Sequence, residues 1–545
     1  MMTVAACGRP ASEHADVIYT HAQVWTGVPG ASLAEALAVR GERLLAVGTA
    51  EEVEAYGGAT TRVVDLGGRF VMPGFIDNHV HFLGGGFQLA SVDLRTAASP
   101  DAFRRRLADF ARSVPPGRWI TGGDWDHEAW GGALPRREWI DAVTPANPVF
   151  VSRLDGHMAL ANSLALARAG ITRDTPDPAG GTIVRDPATG EPTGILKDAA
   201  MDLVFAVIPE PSEEELDEAL ERAMAHAVAL GVTQVHDMGT YGGWTDLATY
   251  RRAHARGTLK LRLYAFVPLA DVDRLAAYVD EHGPGDDRLR WGGLKGFVDG
   301  SLGSTTAWFY APYDDAPETT GLLVTDSTAL RARILRADAA GLHVAVHAIG
   351  DRANDWLLDA YAAAARINGP RDRRFRIEHA QHLTREAIPR FARQGVIPSM
   401  QPYHAIDDGR WAEKRIGPER IRTTYAFRSL LDAGAPLTFG SDWTVAPLNP
   451  LEGVYAAVTR RTLDGAHPEG WVPEEKVSVE EALRAYTAAN AYAGFQEDRL
   501  GYLARGYLAD FVVLSENLLI LDPVQIPQVR VLRTVVGGVE QYVAE

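Results

Sequence analysis

The chain has one cysteine in 545 residues, Cys7. A lone thiol supports neither a disulfide framework nor a cysteine-built metal knot. No run of 18 apolar residues occurs, so no segment reads as a membrane-spanning helix. A positive balance is also missing: the formal charge is −17, whereas a nucleic-acid binder needs a basic face for phosphates. Gly84 to Gly86 follow the first strongly buried segment, but a bare GGG lacks the spacing of a dinucleotide-binding loop. The acidic balance otherwise speaks only to solubility.

Apolar residues are plentiful, at 46%, enough for a large core. The length exceeds one ordinary domain and suits a barrel with accessory parts. Residues 1–14 read as a disordered N-terminus on a cytoplasmic protein. Within them V-A-A-C-G resembles the tail of a bacterial lipoprotein signal, without the charged and apolar regions that should precede it. A true N-terminus upstream would instead make the protein an exported lipoprotein.

From Ala15 to Gly74 short strand-like runs alternate with glycine-containing turns. The C-terminus answers with ADFVVL (Ala509 to Leu514) and VRVLRTVVGGVEQYV. The expectation is a small β-sandwich built from residues 15–72 and 500–545. Between them, a helical pattern repeatedly ends in glycine and an apolar strand follows. The clearest case starts at Ser212, which forms a capping box with Glu215, and ends at Gly231. The same punctuation recurs at Gly257, Gly283, Gly341, Gly369, Gly395 and Gly434. With FIDNHVH this makes eight strands alternating with helices. That pattern predicts an α/β protein, a closed (β/α)8 TIM-like barrel over residues 73–499. An open doubly wound sheet is the alternative. A long stretch, 93–211, interrupts the rhythm after the first strand. It reads as an inserted lid or subdomain, with hairpin signals around Asp186 to Gly194.

Catalytic groups of such barrels stand at the C-terminal strand ends. His79 and His81, spaced i, i+2 on one strand, point the same way. Later strand ends carry His236 and Asp237, Lys295 and Asp299, His347, Glu378 and His379, and Asp442. Strand alternation puts His343, Ala345 and His347 on one face, and Phe375, Ile377 and His379 on another. By the same parity Glu378 turns away, toward Arg376 or a helix. Imidazoles and a carboxylate so placed suit a catalytic zinc site with one position open for water.

PGFIDNHVH, LKGFVDGSLGS, VHAIGD, IEHAQ and FGSDW, in this order along nearly the whole chain, resemble the metal-dependent amidohydrolase superfamily. The nearest resemblance is to its amidohydrolase-3 group of YtcJ-like and N-substituted formamide deformylase-like proteins. The resemblance implies a divalent metal, with Zn²⁺ the first expectation, at one or two per chain. His79 and His81 would bind the more buried ion, His347 and His379 the second, and a carbamylated Lys295 would bridge them. Asp442 would bind the first metal and act as the catalytic base. Lys295 paired as an amine with Asp299 is the alternative. The expected activity is hydrolysis of a non-peptide C–N bond in a small-molecule amide, N-formyl or N-acyl compound. A cyclic amide, carbamate or ester, or a non-catalytic binding protein, are the other readings. A homodimer is compatible with the family. His157, His236, Trp125, Trp308 and Tyr403 are the candidate substrate contacts. For His236 a core role weighs as much, and for His157 a turn-stabilising one.

Overall fold

A computed structural model describes residues 14–153, 158–178, 181–239, 242–303 and 305–545. The chain divides into two units: one takes the residues up to Gly84 and Leu220–Glu545, the other Gly85–Ala219.

The first unit contains an eight-stranded parallel sheet: β1 (Phe75–Val80), β2 (Val232–Asp237), β3 (Arg262–Pro268), β4 (Leu289–Phe297), β5 (His343–Ala348), β6 (Arg376–His379), β7 (Ile397–Met400) and β8 (Thr438–Phe439). Each strand pairs with the next in sequence. Its two ends approach one another through a parallel bridge between Val80 and Trp443. There Asp442 N–H donates to His79 O at 2.7 Å, and His81 N–H to Trp443 O at 2.6 Å. β1, β2 and β5 are buried along their full length, as expected of parallel strands covered on both faces. Their apolar runs therefore lack the in–out alternation of a half-exposed strand.

The crossover helices begin and end where local chemistry dictates. Helix α1 (Glu213–Ala229) starts with the anticipated capping box: Ser212 Oγ accepts from Glu215 N at 3.2 Å, and Glu215 Oε2 accepts from Ser212 N at 2.9 Å. The helix before β7 ends at Gly395, whose left-handed φ of 63° lets its N–H reach carbonyls of the last turn.

Both chain ends join one seven-stranded mixed sheet. Strands Val17–Val24, Ala36–Arg40, Arg43–Gly48 and Arg62–Pro73 share it with Phe511–Leu514, Val531–Val536 and Val539–Val543. A buried fork ties it to the barrel: Arg262 of β3 donates to both carboxylate oxygens of Asp510, at 2.7 and 2.8 Å. Asp510 also accepts from Gly537 N–H.

The second unit holds a six-stranded sheet. Its core gathers Trp125, Phe103, Leu107, Ile140, Leu160 and Ile195. The hairpin signal becomes strands Gly181–Arg185 and Pro192–Asp198, paired antiparallel; Asp186 closes the turn by accepting from Ala188 and Thr189 N–H. Among the described residues no helix is long and apolar enough to cross a membrane.

Breaking a buried, bidentate ion pair by removing one partner strands the other charge in a low-dielectric interior. Asp510→Ala should therefore cost about 3–5 kcal/mol of stability, read as a lower denaturation midpoint. An unchanged midpoint would show that Arg262 finds another partner.

Candidate active site

The strand ends bring His79, His81, Lys295, His347, His379 and Asp442 into one cluster. Single ligating atoms of His79, His379 and Asp442 lie within 4.8 Å of one another, and all three residues are buried. His79 Nε2 and His81 Nε2 stand 3.4 and 3.3 Å from Asp442 Oδ1. The rings of His79 and His347 lie 4.9 and 4.6 Å from that of His379. Lys295 Nζ stands 3.4 Å from His79 Nε2.

The rings of His79, His347 and His379 are each oriented from behind. His79 Nδ1 donates to Glu378 Oε2 at 2.5 Å, which turns Nε2 toward Asp442. Glu378 is gripped by Arg376, with Nε to Oε1 at 2.7 Å and Nη2 to Oε2 at 3.0 Å, and by Ser399 Oγ at 2.7 Å. Arg376 in turn reaches Asn78 O and His236 Nδ1. His379 Nδ1 donates to Gln401 Oε1 at 2.8 Å. His347 Nε2 donates to Gly300 O at 2.9 Å, so Nδ1 is the nitrogen that could ligate a metal. Such outer contacts fix the tautomer and raise the basicity of imidazole ligands.

Two cluster residues depart from ordinary strand geometry. His379 has φ 75° and Asp442 φ 60°, in the left-handed region that non-glycine residues seldom adopt. This corrects the expected parity of β6. Arg376 and Glu378 face the barrel interior, while Phe375 stacks on Tyr361 of helix α2 (Asp351–Asn368), centroids 4.3 Å apart. Strict alternation would send His379 to the side of Phe375. The backbone twist returns it to the cluster.

Burial pushes the pKa of His79 down to about 4, with Lys295 adding to the effect. Burial likewise takes His347 to about 3 and His379 well below its usual value. Burial thus favours the neutral form of His79, His347 and His379, the form that ligates metals. Burial opposes ionisation of Asp442, but His79, His81 and His379 outweigh it and hold the carboxyl well below its usual range. Asp442 Oδ1 is buried and accepts no hydrogen bond of ordinary geometry among the described residues. A buried carboxylate oxygen without a hydrogen-bond partner, beside two imidazole nitrogens, fits a divalent cation, and this donor set suits Zn²⁺. Burial brings Lys295 down to about 8. Its alternative partner, Asp299, is committed elsewhere: its oxygens accept from the N–H groups of Trp308, Ile349 and Gly350.

Two of the expected substrate contacts are fully buried. Trp125 is fully buried in the second unit's core and donates its indole N–H to Val151 O. His236 lies in the barrel interior between Gln234 and Arg376, the core role weighed for it. Trp308 is half-buried, with the Arg352 guanidinium over its ring at 4.4 Å. Tyr403 is half-buried on helix α3 (Pro402–Asp408). His157 falls outside the described residues. Sequence reasoning missed Glu378 as the group behind His79, and it missed Gln401 and His404. The last two bracket Pro402 and Tyr403 in QPYH, directly after β7.

A carboxylate and imidazoles meeting at the C-terminal ends of parallel barrel strands define a class, the barrel hydrolases with a metal-ligating centre. The chain belongs to the amidohydrolase family, whose model matches residues 62–542. It is 42% identical to Protein LONG AFTER FAR-RED 3 of Arabidopsis thaliana, over 99% of this chain and 94% of that one. It is 35% identical to the putative amidohydrolase YtcJ of Bacillus subtilis, over 89% and 91%. It is 31% identical to the N-substituted formamide deformylase of Arthrobacter pascens, over 97% and 98%. Among solved structures, an uncharacterized metal-dependent hydrolase from Pyrococcus horikoshii superposes with a TM-score of 0.78 at 29% identity, covering 93% of this chain and 99% of that one. The resemblance to the YtcJ-like group is therefore borne out.

Removing the group that orients a metal-ligating histidine typically costs 10–100-fold in metal affinity. If His379 ligates a metal, Gln401→Ala should weaken divalent-metal binding by about that factor, measured by chelator competition, with the circular dichroism spectrum unchanged. Wild-type affinity in this variant would show that His379 needs no such support.

Proposed function

We propose that the chain is a metal-dependent hydrolase of non-peptide C–N bonds, acting on a small-molecule amide, N-formyl or N-acyl compound. The observation that carries this reading is the buried Asp442 Oδ1, without a hydrogen-bond partner among the described residues and 3.4 and 3.3 Å from the Nε2 atoms of His79 and His81 at the strand ends. His79, His81 and Asp442 would hold one divalent ion, with His347 and His379 holding a second. Lys295 would bridge them as a carbamate, formed when its neutral amine adds to carbon dioxide and loses one proton. Zn²⁺ is the ion this set of imidazoles and carboxylate suits best. When bound, such an ion lowers the pKa of water toward about 7 and polarises a carbonyl.

The chain's own residues supply the rest. Asp442, ionised and beside His79 and His81, accepts the proton of the attacking water and later returns it to the leaving nitrogen. Arg376 and Glu378 keep the His79 ring from turning. The barrel wall keeps bulk water from the carboxylate, which strengthens each electrostatic contact inside. The deformylase activity that gives the Arthrobacter pascens relative its name supports a C–N bond as the target. A cyclic amide, carbamate or ester fits the same groups, because the fold alone does not set the substrate. A non-catalytic role on this fold expects an eroded ligand set, and every expected ligand is present.

Asp442→Asn keeps the size of the side chain and removes the base. It should retain the fold and most bound metal while abolishing turnover of an amide panel; normal hydrolysis would remove Asp442 from the base role. Lys295→Ala should lower the metal-to-chain ratio, read by elemental analysis after growth with zinc and bicarbonate, more than it lowers helicity. Full metal occupancy would exclude the bridge.

A further inference from the structure

His404 is a histidine beside the cluster to which neither the motifs nor the ligand roles above give a task. It sits in the first turn of α3, three residues after Gln401. Its ring lies nearly parallel to that of His379, centroids 6.3 Å apart at 17°. Its Nε2 is buried and has no hydrogen-bond partner among the described residues. The nearest carboxylate atom is Asp442 Oδ2, at 3.8 Å, beyond hydrogen-bond reach. Asp442 is thus flanked on two sides. Oδ1 faces His79 and His81, and Oδ2 faces His404.

The position is held firmly. At one end of α3, Gln401 is bonded to His379. At the other, Asp408 Oδ2 accepts from Tyr425 OH at 2.6 Å and from Gln381 Nε2 at 2.7 Å. Ala405 and Ile406 pack in the core between these anchors. A buried polar nitrogen left unpaired costs free energy, and native structures keep few of them. One kept on a pinned helix, beside the proposed base, is placed for an atom the protein itself does not supply.

We propose that His404 is a catalytic residue whose Nε2–H donates a hydrogen bond to the carbonyl oxygen of the scissile group. The inference rests on the hydrolase reading above. As water adds to the carbonyl carbon from the side of Asp442, the carbonyl oxygen gains negative charge. A preoriented donor in a water-poor site stabilises that charge in the transition state more than the neutral carbonyl in the ground state. The chemistry recognised is a planar carbonyl joined to nitrogen, with its oxygen toward α3 and its carbon toward Asp442.

The test compares His404→Phe, which keeps ring volume without a donor, with His404→Gln, which keeps an N–H at similar reach. Both are made in the full-length, zinc-loaded protein. Their metal content and melting temperature should match wild type. On a panel of N-formyl, N-acetyl and N-carbamoyl alkylamines, the Phe variant should lose about 10²-fold in kcat with KM little changed, and Gln should recover most of it. Wild-type kcat in the Phe variant, or equal losses in both variants, would overturn the proposal. If the wild type turns over none of the panel, the C–N hydrolase reading fails by itself. Calorimetric binding of acetohydroxamate then decides for His404 without turnover. Tenfold weaker binding in Phe but not in Gln supports the contact; equal binding in all three proteins removes it.

Discussion

The cluster depends on one buried chain of charge, from Arg376 through Glu378 to His79. All three are sealed from solvent, so each must be satisfied by the next. The guanidinium fork fixes both carboxylate oxygens of Glu378, and one of those oxygens fixes the imidazole. Burial by itself would neutralise Glu378; Arg376 and His79 outweigh it and hold the carboxyl well below its ordinary range. The carboxylate stays ionised and acceptor-only, and His79 has one tautomer and one ring orientation. Arg376 also spans to β1 through Asn78 O and to β2 through His236. The same side chain therefore braces the barrel interior and aims a ligand nitrogen.

Much of this architecture was legible in the sequence. The eight-strand rhythm was readable because parallel strands are continuous apolar runs and each crossover helix ends in glycine. The capping box at Ser212 and the hairpin after Asp186 were readable because their chemistry is local. The convergence of strand-end histidines followed from the rule that barrel function sits at one face. β6 escaped because alternation assumes ordinary backbone, and φ at His379 breaks it; His and Asp are enriched at left-handed positions, but residue type alone does not fix where one falls. Trp125 misled because an aromatic-rich insert looks alike whether its rings fill a core or line a pocket. Gln401 escaped because an amide that orients a ligand has no spacing rule. It is recognised only once strands six and seven stand side by side.

Two of the described non-glycine residues with left-handed backbone, His379 and Asp442, lie in the cluster. Such conformations persist only where surrounding structure over-determines them. At Asp442 the constraint is visible: its N–H bonds His79 O, and Ser441 N–H bonds the Asp77 carboxylate. At His379 the constraint is the ring's bond to Gln401. Conformational cost is accepted at those two residues to bring side chains from different strands to a common point.

The seam between the first and last strands has a consequence for how the chain is made. Asp77 and Ser441, bonded across it at 3.0 Å, are 364 positions apart. During synthesis the histidines of β1 leave the ribosome long before their carboxylate partner exists. Contacts of such high sequence separation form late, because the loop they close must first be ordered. The centre is thus completed only when nearly the whole barrel is in place. A nascent or truncated chain carries the histidines without the carboxylate that completes their site, so assembly of the centre reports that synthesis has reached the last strand.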